Sequence, residues 1–201
     1  MRATFRPALA GYDRGVRKVG RLSASSDPRS PRRAVFLDRD GVLNHRAPPG
    51  DYVKSVAEFA WLTGAREGVR RLNDEGWLAL VVTNQRGIAR GLMTSSDVEA
   101  IHDKAQRELR EIGAHVDAFY YCPHGDDDRC ACRKPQPGLI LRAAQDWKVD
   151  LAASFLVGDD DRDVEAARRA GVRAVKIPSD GNLRDTLTKL LSAREDPTND
   201  G

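Results

Sequence analysis

Several things are missing from this chain of 201 residues, and each absence removes a class of function. No stretch approaches the roughly 18 consecutive apolar residues of a membrane span. The N-terminus lacks the continuous apolar core of a secretory signal. Charge of one sign is missing too: 33 basic residues stand against 30 acidic ones, the balance of an ordinary soluble domain. Cysteine is absent everywhere except between Cys122 and Cys132. Length and balance together suit one domain with one sizeable core, expected in the cytoplasm with no membrane partner.

The near-neutral total hides an asymmetry. Met1 to Arg33 carries about +7, which leaves about −4 for the rest. This leader, residues 1–33, is rich in Arg, Ser and Pro and poor in periodic apolar positions, so it reads as disordered. A nucleic-acid arm and an organelle transit peptide are the alternatives. Residues 195–201 read as a second disordered tail, leaving 34–194 as the folded domain.

The chain is organised around Ala34 to Asn44, where four apolar residues precede Asp38-Arg39-Asp40-Gly41. A short apolar run without alternation suits a strand buried on both faces of a parallel sheet. Its C-terminal end is where open α/β sheets bind ligands. Two carboxylates there suit phosphoryl transfer, one attacking phosphorus while the other handles the leaving-group proton. A phosphate monoester is itself anionic, so a divalent cation and a lysine are needed to reverse the repulsion. Taken alone, Asp-x-Asp reads more readily as a pair of strand-end aspartates capping a turn, and only the rest of the chain can overturn that reading.

Further strands are expected at Trp77–Val82, Asp117–Tyr121, Ser154–Gly158 and Val172–Ile177, with helices between them. Thr63 reads as the N-cap of the first helix, and Thr94 with Asp97 as a capping box for the second. Strands alternating with helices give a doubly wound parallel α/β sheet with right-handed crossovers. If the first strand lies between the second and fourth, Asp38, Asp40, Thr83 and Asp159 converge on one crevice. Asp160, Asp161 and Asp163 are read as helix N-terminal charges complementing the macrodipole. His102 and His115 are read as structural.

Cys122-Pro-His124 and Cys130-Ala-Cys132 gather every cysteine in one loop. Three thiolates and an imidazole are the ligand set of a closed tetrahedral zinc site, which is structural because no position is left for water. Arg133 and Lys134 follow at once, placing Lys134 where a fixed loop could present it to phosphate.

Taken in order, Leu-Asp-Arg-Asp-Gly-Val-Leu-Asn, Val-Thr-Asn-Gln, Cys-Pro-His, Cys-x-Cys-Arg-Lys-Pro and Val-Gly-Asp-Asp-x-x-Asp resemble the haloacid dehalogenase-like phosphatases. The resemblance is to their zinc-bearing subgroup acting on D-glycero-D-manno-heptose 1,7-bisphosphate or histidinol phosphate, and it runs from about Ala34 to Ile177. It implies that Asp38 is the nucleophile, Asp40 the acid and base, and Thr83 and Lys134 the holders of the phosphoryl group. It further implies Mg²⁺ on Asp38, the Asp40 carbonyl and Asp159, with Asp159 preferred over its neighbour Asp160. Asn84, Gln85 and Arg133 would contact substrate, with Asn44 expected beside them; Arg86 departs from the family pattern, which has a small polar or uncharged residue there, and either narrows the mouth or adds a phosphate contact. No insertion is long enough for a cap domain, so the loop from Asn44 to Tyr52 and the cysteine loop must cover the site. Arg46, Arg86, Arg90 and Arg133 favour a second phosphate over the ammonium of histidinol phosphate. The expected protein is thus a monomeric sugar-bisphosphate phosphatase with catalytic Mg²⁺ and structural Zn²⁺. Histidinol-phosphate phosphatase and a nucleic-acid 3′-end phosphatase are the alternatives.

Overall fold

The computed structural model of the chain describes residues 16–18 and 31–192. The remainder of the expected leader and the expected tail lie outside the described residues. Five parallel strands carry the fold: β2 (Ala34–Leu37), β3 (Leu78–Asn84), β4 (Ala118–Cys122), β5 (Phe155–Gly158) and β6 (Arg173–Lys176). Within the stretch read as a leader, β1 (Val16–Lys18) pairs antiparallel with β4 and extends the sheet by one edge strand. Three residues are too few to show periodicity, so the sequence carries no signal for this strand.

The order across the sheet is β1-β4-β3-β2-β5-β6, so β2 lies between β3 and β5, where the strand order reverses. The central strands read as continuous apolar runs because successive side chains enter two different cores. Val35, Leu37, Ala79 and Val81 face one; Ala34, Phe36, Leu78 and Leu80 face the other. Helices α1 (Ala65–Asp74), α2 (Ser95–Arg110) and α5 (Leu183–Ser192) close the first core. The second is closed by α3 (Gly138–Trp147) and α4 (Asp161–Ala170). Burying each large apolar side chain contributes about 1.5–3 kcal/mol, and both faces of β2 and β3 gain it.

Helix entry follows local chemistry with one difference. Thr94 and Asp97 form the expected reciprocal capping box at α2. At α1 the N-cap is Gly64 rather than Thr63, with φ of 79° and no side-chain cap. A Cβ at Gly64 would stand 2.2 Å from Asn182 Oδ1, so the approach of the segment before α5 selects glycine there. Helix α4 opens with an Asp160/Asp163 capping box and ends at Gly171. That box bears directly on the site.

Candidate active site

Asp38 N donates to the Val157 carbonyl at 3.0 Å, carrying the β2–β5 ladder one residue past the strand. This holds Asp38 at the switch point, beside Asp159 at the end of β5 and Asp163 in the first turn of α4. One oxygen from each of Asp38, Asp159 and Asp163 lies within 4.8 Å of the others. Opposite ligands of a hard octahedral cation with 2.1 Å bonds stand about 4.2 Å apart, so the three carboxylates can hold one. Gly41 makes room: with φ of 91°, its position would put a Cβ only 2.0 Å from Asp159 Oδ2. That Oδ2 is buried and has no hydrogen-bond partner, as expected of a metal-facing oxygen.

Lys134 lies between two of these carboxylates. Its Nζ is 2.9 Å from Asp38 Oδ1 and 2.6 Å from Asp163 Oδ1, and it donates to the Val82 carbonyl at 2.9 Å. All three ammonium protons therefore have acceptors. Burial opposes its charge, but Asp38 and Asp163 outweigh burial and hold its pKa above the ordinary lysine value. Burial lifts Asp38 to about 7, with Lys134 working against the rise and Asp163 adding to it. Asp163, read from sequence as a solvent-side helix charge, is 1 % exposed and belongs to the site. The signal that could have found it is Gly158: a Cβ there would fall 2.4 Å from Asp163 Cβ, so only glycine lets the helix start come this close.

Asp40 is held from behind by groups that the sequence did not place there. Arg39, wholly buried, donates through Nε (3.2 Å) and Nη2 (3.0 Å) to Asp40 Oδ1, and through Nη2 to Oδ2 at 3.0 Å. Asn44 Nδ2 donates to Oδ1 at 2.9 Å, and Gln85 Nε2 to Oδ2 at 3.0 Å and to Thr83 Oγ1 at 3.0 Å. Asn44 and Gln85, expected at the substrate surface, are buried beneath it instead, where they support Asp40. Their amides are consumed because a carboxylate next to a buried guanidinium needs further donors to stay satisfied.

A cavity of about 270 Å³ opens over Asp38, Asp40, Thr83 and Lys134, walled by the loop from Arg46 to Val53. Arg46 does not face an open second-phosphate position; its Nη2 stands 2.6 Å from Asp159 Oδ1. Arg90 lies over the Tyr52 ring and donates to the Gly50 carbonyl at 3.3 Å. Arg86 and Arg133 converge on Asp126, at 2.5 and 2.7 Å. The four arginines of the charge argument thus go to three different places. A second cavity of about 420 Å³ borders the first, and Arg133, Lys134 and Arg162 line it. Arg133 Nη1 is buried and has no hydrogen-bond partner.

The cysteine loop leaves β4 and returns to the site at Lys134. Cys122, His124, Cys130 and Cys132 each offer a ligand atom within one cluster. Sulfur–sulfur separations are 3.2, 3.4 and 3.6 Å, and His124 Nδ1 is 3.2 Å from Cys132 Sγ. Zn–S bonds of 2.3 Å at tetrahedral angles put sulfurs about 3.8 Å apart, so four groups in this arrangement can close around one metal. Negative charge collects at Cys132: the Cys122 thiol and its other neighbours bring its pKa down to about 5 against burial. Its neighbour Cys132 and burial push the Cys122 thiol up. Asn84 ties the loop's far end to β3, its amide accepting from Lys134 N and donating to Lys134 O, both at 3.0 Å.

The HAD-hydrolase-like family model matches residues 131–199. Over 155 residues, 77% of this chain and 85% of the relative, the chain is 44% identical to a D-glycero-beta-D-manno-heptose-1,7-bisphosphate 7-phosphatase of Bordetella bronchiseptica. Over 145 residues, 70% of this chain and 74% of the relative, it is 41% identical to a D-glycero-alpha-D-manno-heptose-1,7-bisphosphate 7-phosphatase of Mycobacterium tuberculosis. The crystal structure of the B. bronchiseptica D,D-heptose 1,7-bisphosphate phosphatase complexed with magnesium and phosphate superposes with a TM-score of 0.70 at 43% identity. That superposition covers 78% of this chain and 86% of the other. The chain is a phosphoric monoester hydrolase of the haloacid dehalogenase-like class and belongs to the D-glycero-D-manno-heptose-1,7-bisphosphate 7-phosphatase family.

Proposed function

We propose that the chain removes the 7-phosphate of D-glycero-D-manno-heptose 1,7-bisphosphate through an aspartyl-phosphate formed on Asp38. The observation that carries this reading is the meeting of Asp38, Asp159 and Asp163 within 4.8 Å, with the Lys134 ammonium between two of them. An attacking carboxylate Oδ can approach an anionic ester there because positive charge is already fixed beside it. Asp40, oriented by Arg39, Asn44 and Gln85, gives its proton to the departing C7 oxygen and then takes one from the water that hydrolyses the acyl phosphate. Thr83 Oγ1 and Lys134 Nζ hold the phosphoryl oxygens. Asp38, the Asp40 carbonyl and Asp159 would hold Mg²⁺, which supplies charge neutralisation at the transferring phosphoryl group. The orphaned Asp159 Oδ2 fits that assignment.

Zn²⁺ on Cys122, His124, Cys130 and Cys132 would be structural, since four protein ligands fill its tetrahedron. The adjoining 420 Å³ cavity, lined by Arg133, Lys134 and Arg162, suits the phosphate at the far end of the sugar. Arg86 reaches the same place through Asp126. Of the residues expected at substrate, Arg133 keeps the strongest support and Asn44 and Gln85 act through Asp40.

The test is phosphate release with Mg²⁺ from both anomers of the heptose bisphosphate, from histidinol phosphate and from 3′-phosphorylated oligonucleotides. A heptose bisphosphate should exceed the others in kcat/KM by more than tenfold. Faster release from histidinol phosphate or an oligonucleotide 3′-end would overturn the proposal.

A further inference from the structure

Arg46 lines the cavity over Asp38 and Asp40, and the catalytic scheme gives it no work. It rises from the loop after Asn44, with 40% of its side chain exposed, and reaches back into the carboxylate cluster. Nη2 stands 2.6 Å from Asp159 Oδ1 and 3.8 Å from Asp160 Oδ2, and Nε donates to the Asp40 carbonyl at 3.3 Å. Asp159 and the Asp40 carbonyl are two of the oxygens assigned above to Mg²⁺. Gly41 permits the approach: a Cβ there would fall 2.0 Å from Asp159 Oδ2 and 2.8 Å from Arg46 Nε.

We propose that Arg46 is the built-in counter-ion of the metal site, satisfying Asp159 and the Asp40 carbonyl until a divalent cation displaces it toward the substrate mouth. The inference rests on the reading of Asp38, Asp40 and Asp159 as the metal site. Two arguments carry it. The Asp159 side chain is fully shielded from solvent, and a buried carboxylate needs a compensating charge at all times. Second, a guanidinium touching the same oxygens repels an arriving dication, and the sign of that interaction does not depend on fine geometry. A half-exposed side chain on a Pro- and Gly-bearing loop can withdraw, and Arg46 already lines the 270 Å³ cavity into which it would move. Arg46 is thus a positioning residue that acts through Asp159, linking metal loading to a newly freed positive charge at the mouth.

Mn²⁺, followed by its paramagnetic resonance signal, serves as the probe. It is titrated into the full chain dialysed against metal-free buffer without chelator, so that metal in the cysteine loop is kept. Arg46→Gln retains an amide donor and removes the charge. It should bind Mn²⁺ about three- to tenfold more tightly than the parent, the range expected for removing one partly screened unit charge near a dication. Its melting temperature should fall below the parent's without Mg²⁺ and match it at saturating Mg²⁺. Unchanged or weaker Mn²⁺ binding in Arg46→Gln overturns the proposal, weaker binding showing that Arg46 orients Asp159 for the metal instead. Asp159→Asn separates the two layers. If it binds Mn²⁺ as the parent does, the metal-site reading itself fails. If Asp159→Asn loses binding while Arg46→Gln is unaltered, only the counter-ion role is lost.

Discussion

The two cation-ready clusters among the described residues are built in opposite ways. Asp38, Asp159 and Asp163 come from the ends of β2 and β5 and the start of α4, and meet only because the sheet brings them together. Cys122, His124, Cys130 and Cys132 come from one loop and meet through local chain geometry. The carboxylates carry their own positive charges, Lys134 and Arg46, and are stable neighbours without further help. The sulfurs pack against one another at 3.2, 3.4 and 3.6 Å and against His124 Nδ1. On the proposed reading, a cation at the first cluster would serve the chemistry and one at the second would hold the loop.

The sharpest way to break this contrast is Asp38→Asn. Without the nucleophile, turnover should fall by about a thousandfold or more. Melting temperature should not fall, because the change removes a charge that burial disfavours. Metal analysis should find the cysteine loop as loaded as before. Residual activity within tenfold of the parent would show that Asp38 does not form the covalent intermediate.

Lys134→Met comes next. It leaves Asp38 and Asp163 facing each other in the interior, and breaking a buried ion pair by removing one partner costs about 3–5 kcal/mol. Denaturant unfolding should register that loss, and saturating Mg²⁺ should restore more stability in this variant than in the parent. Equal restoration in both would mean that lysine and metal do not share the burden of neutralising the carboxylates.

Proton linkage gives a gentler test of the same cluster. Burial holds Asp38 near 7 in the folded protein, above the ordinary aspartate value. Below the unfolded pKa it is protonated in both states and carries no penalty. As pH rises, the unfolded chain ionises first, so stability is lost progressively until pH passes about 7. Without Mg²⁺, unfolding free energy should therefore decline across that interval. Asp38→Asn should remove the decline, and Mg²⁺, which favours the carboxylate, should reduce it. A parent and variant with parallel pH profiles would show that Asp38 is not the group responsible.

The same contrast explains what could be read from residue order. The cysteine cluster was visible as a spacing, since its ligands are neighbours in sequence. Strands β2 to β6 were visible as apolar runs, and the placing of β2 between β3 and β5 brought Asp38 and Asp159 together as expected. Asp163 was hidden because an acidic residue opening a helix has a sufficient local explanation; only the close approach at Gly158 shows that it turns inward. Arg39 was hidden for a related reason. Arginine is seldom wholly buried, and nothing in Asp-Arg-Asp says that the middle side chain folds under the last. Asn44 and Gln85 looked like donors awaiting substrate, but the donors are spent on Asp40, a partner set by tertiary packing.

The smallest expected effect lies where the two clusters touch. Cys130 is the most exposed of the three cysteines, and Cys130→Ser, which removes one of the four ligand groups, should weaken zinc binding by more than the roughly 10- to 100-fold that loss of an outer-shell partner costs. Lys134, though only two residues beyond Cys132, does not hang from the metal alone. Asn84 grips its backbone from β3, Gln85 N donates to the Cys122 carbonyl at 2.8 Å, and Nζ is seated on the Val82 carbonyl. Turnover at saturating Mg²⁺ should accordingly change by no more than about threefold while the zinc affinity drops, because the strand anchors keep the ammonium in register. Were activity to fall in step with zinc occupancy, measured on the same samples, the loop metal would be holding Lys134 directly, and the division between a chemical and a structural centre would have to be given up.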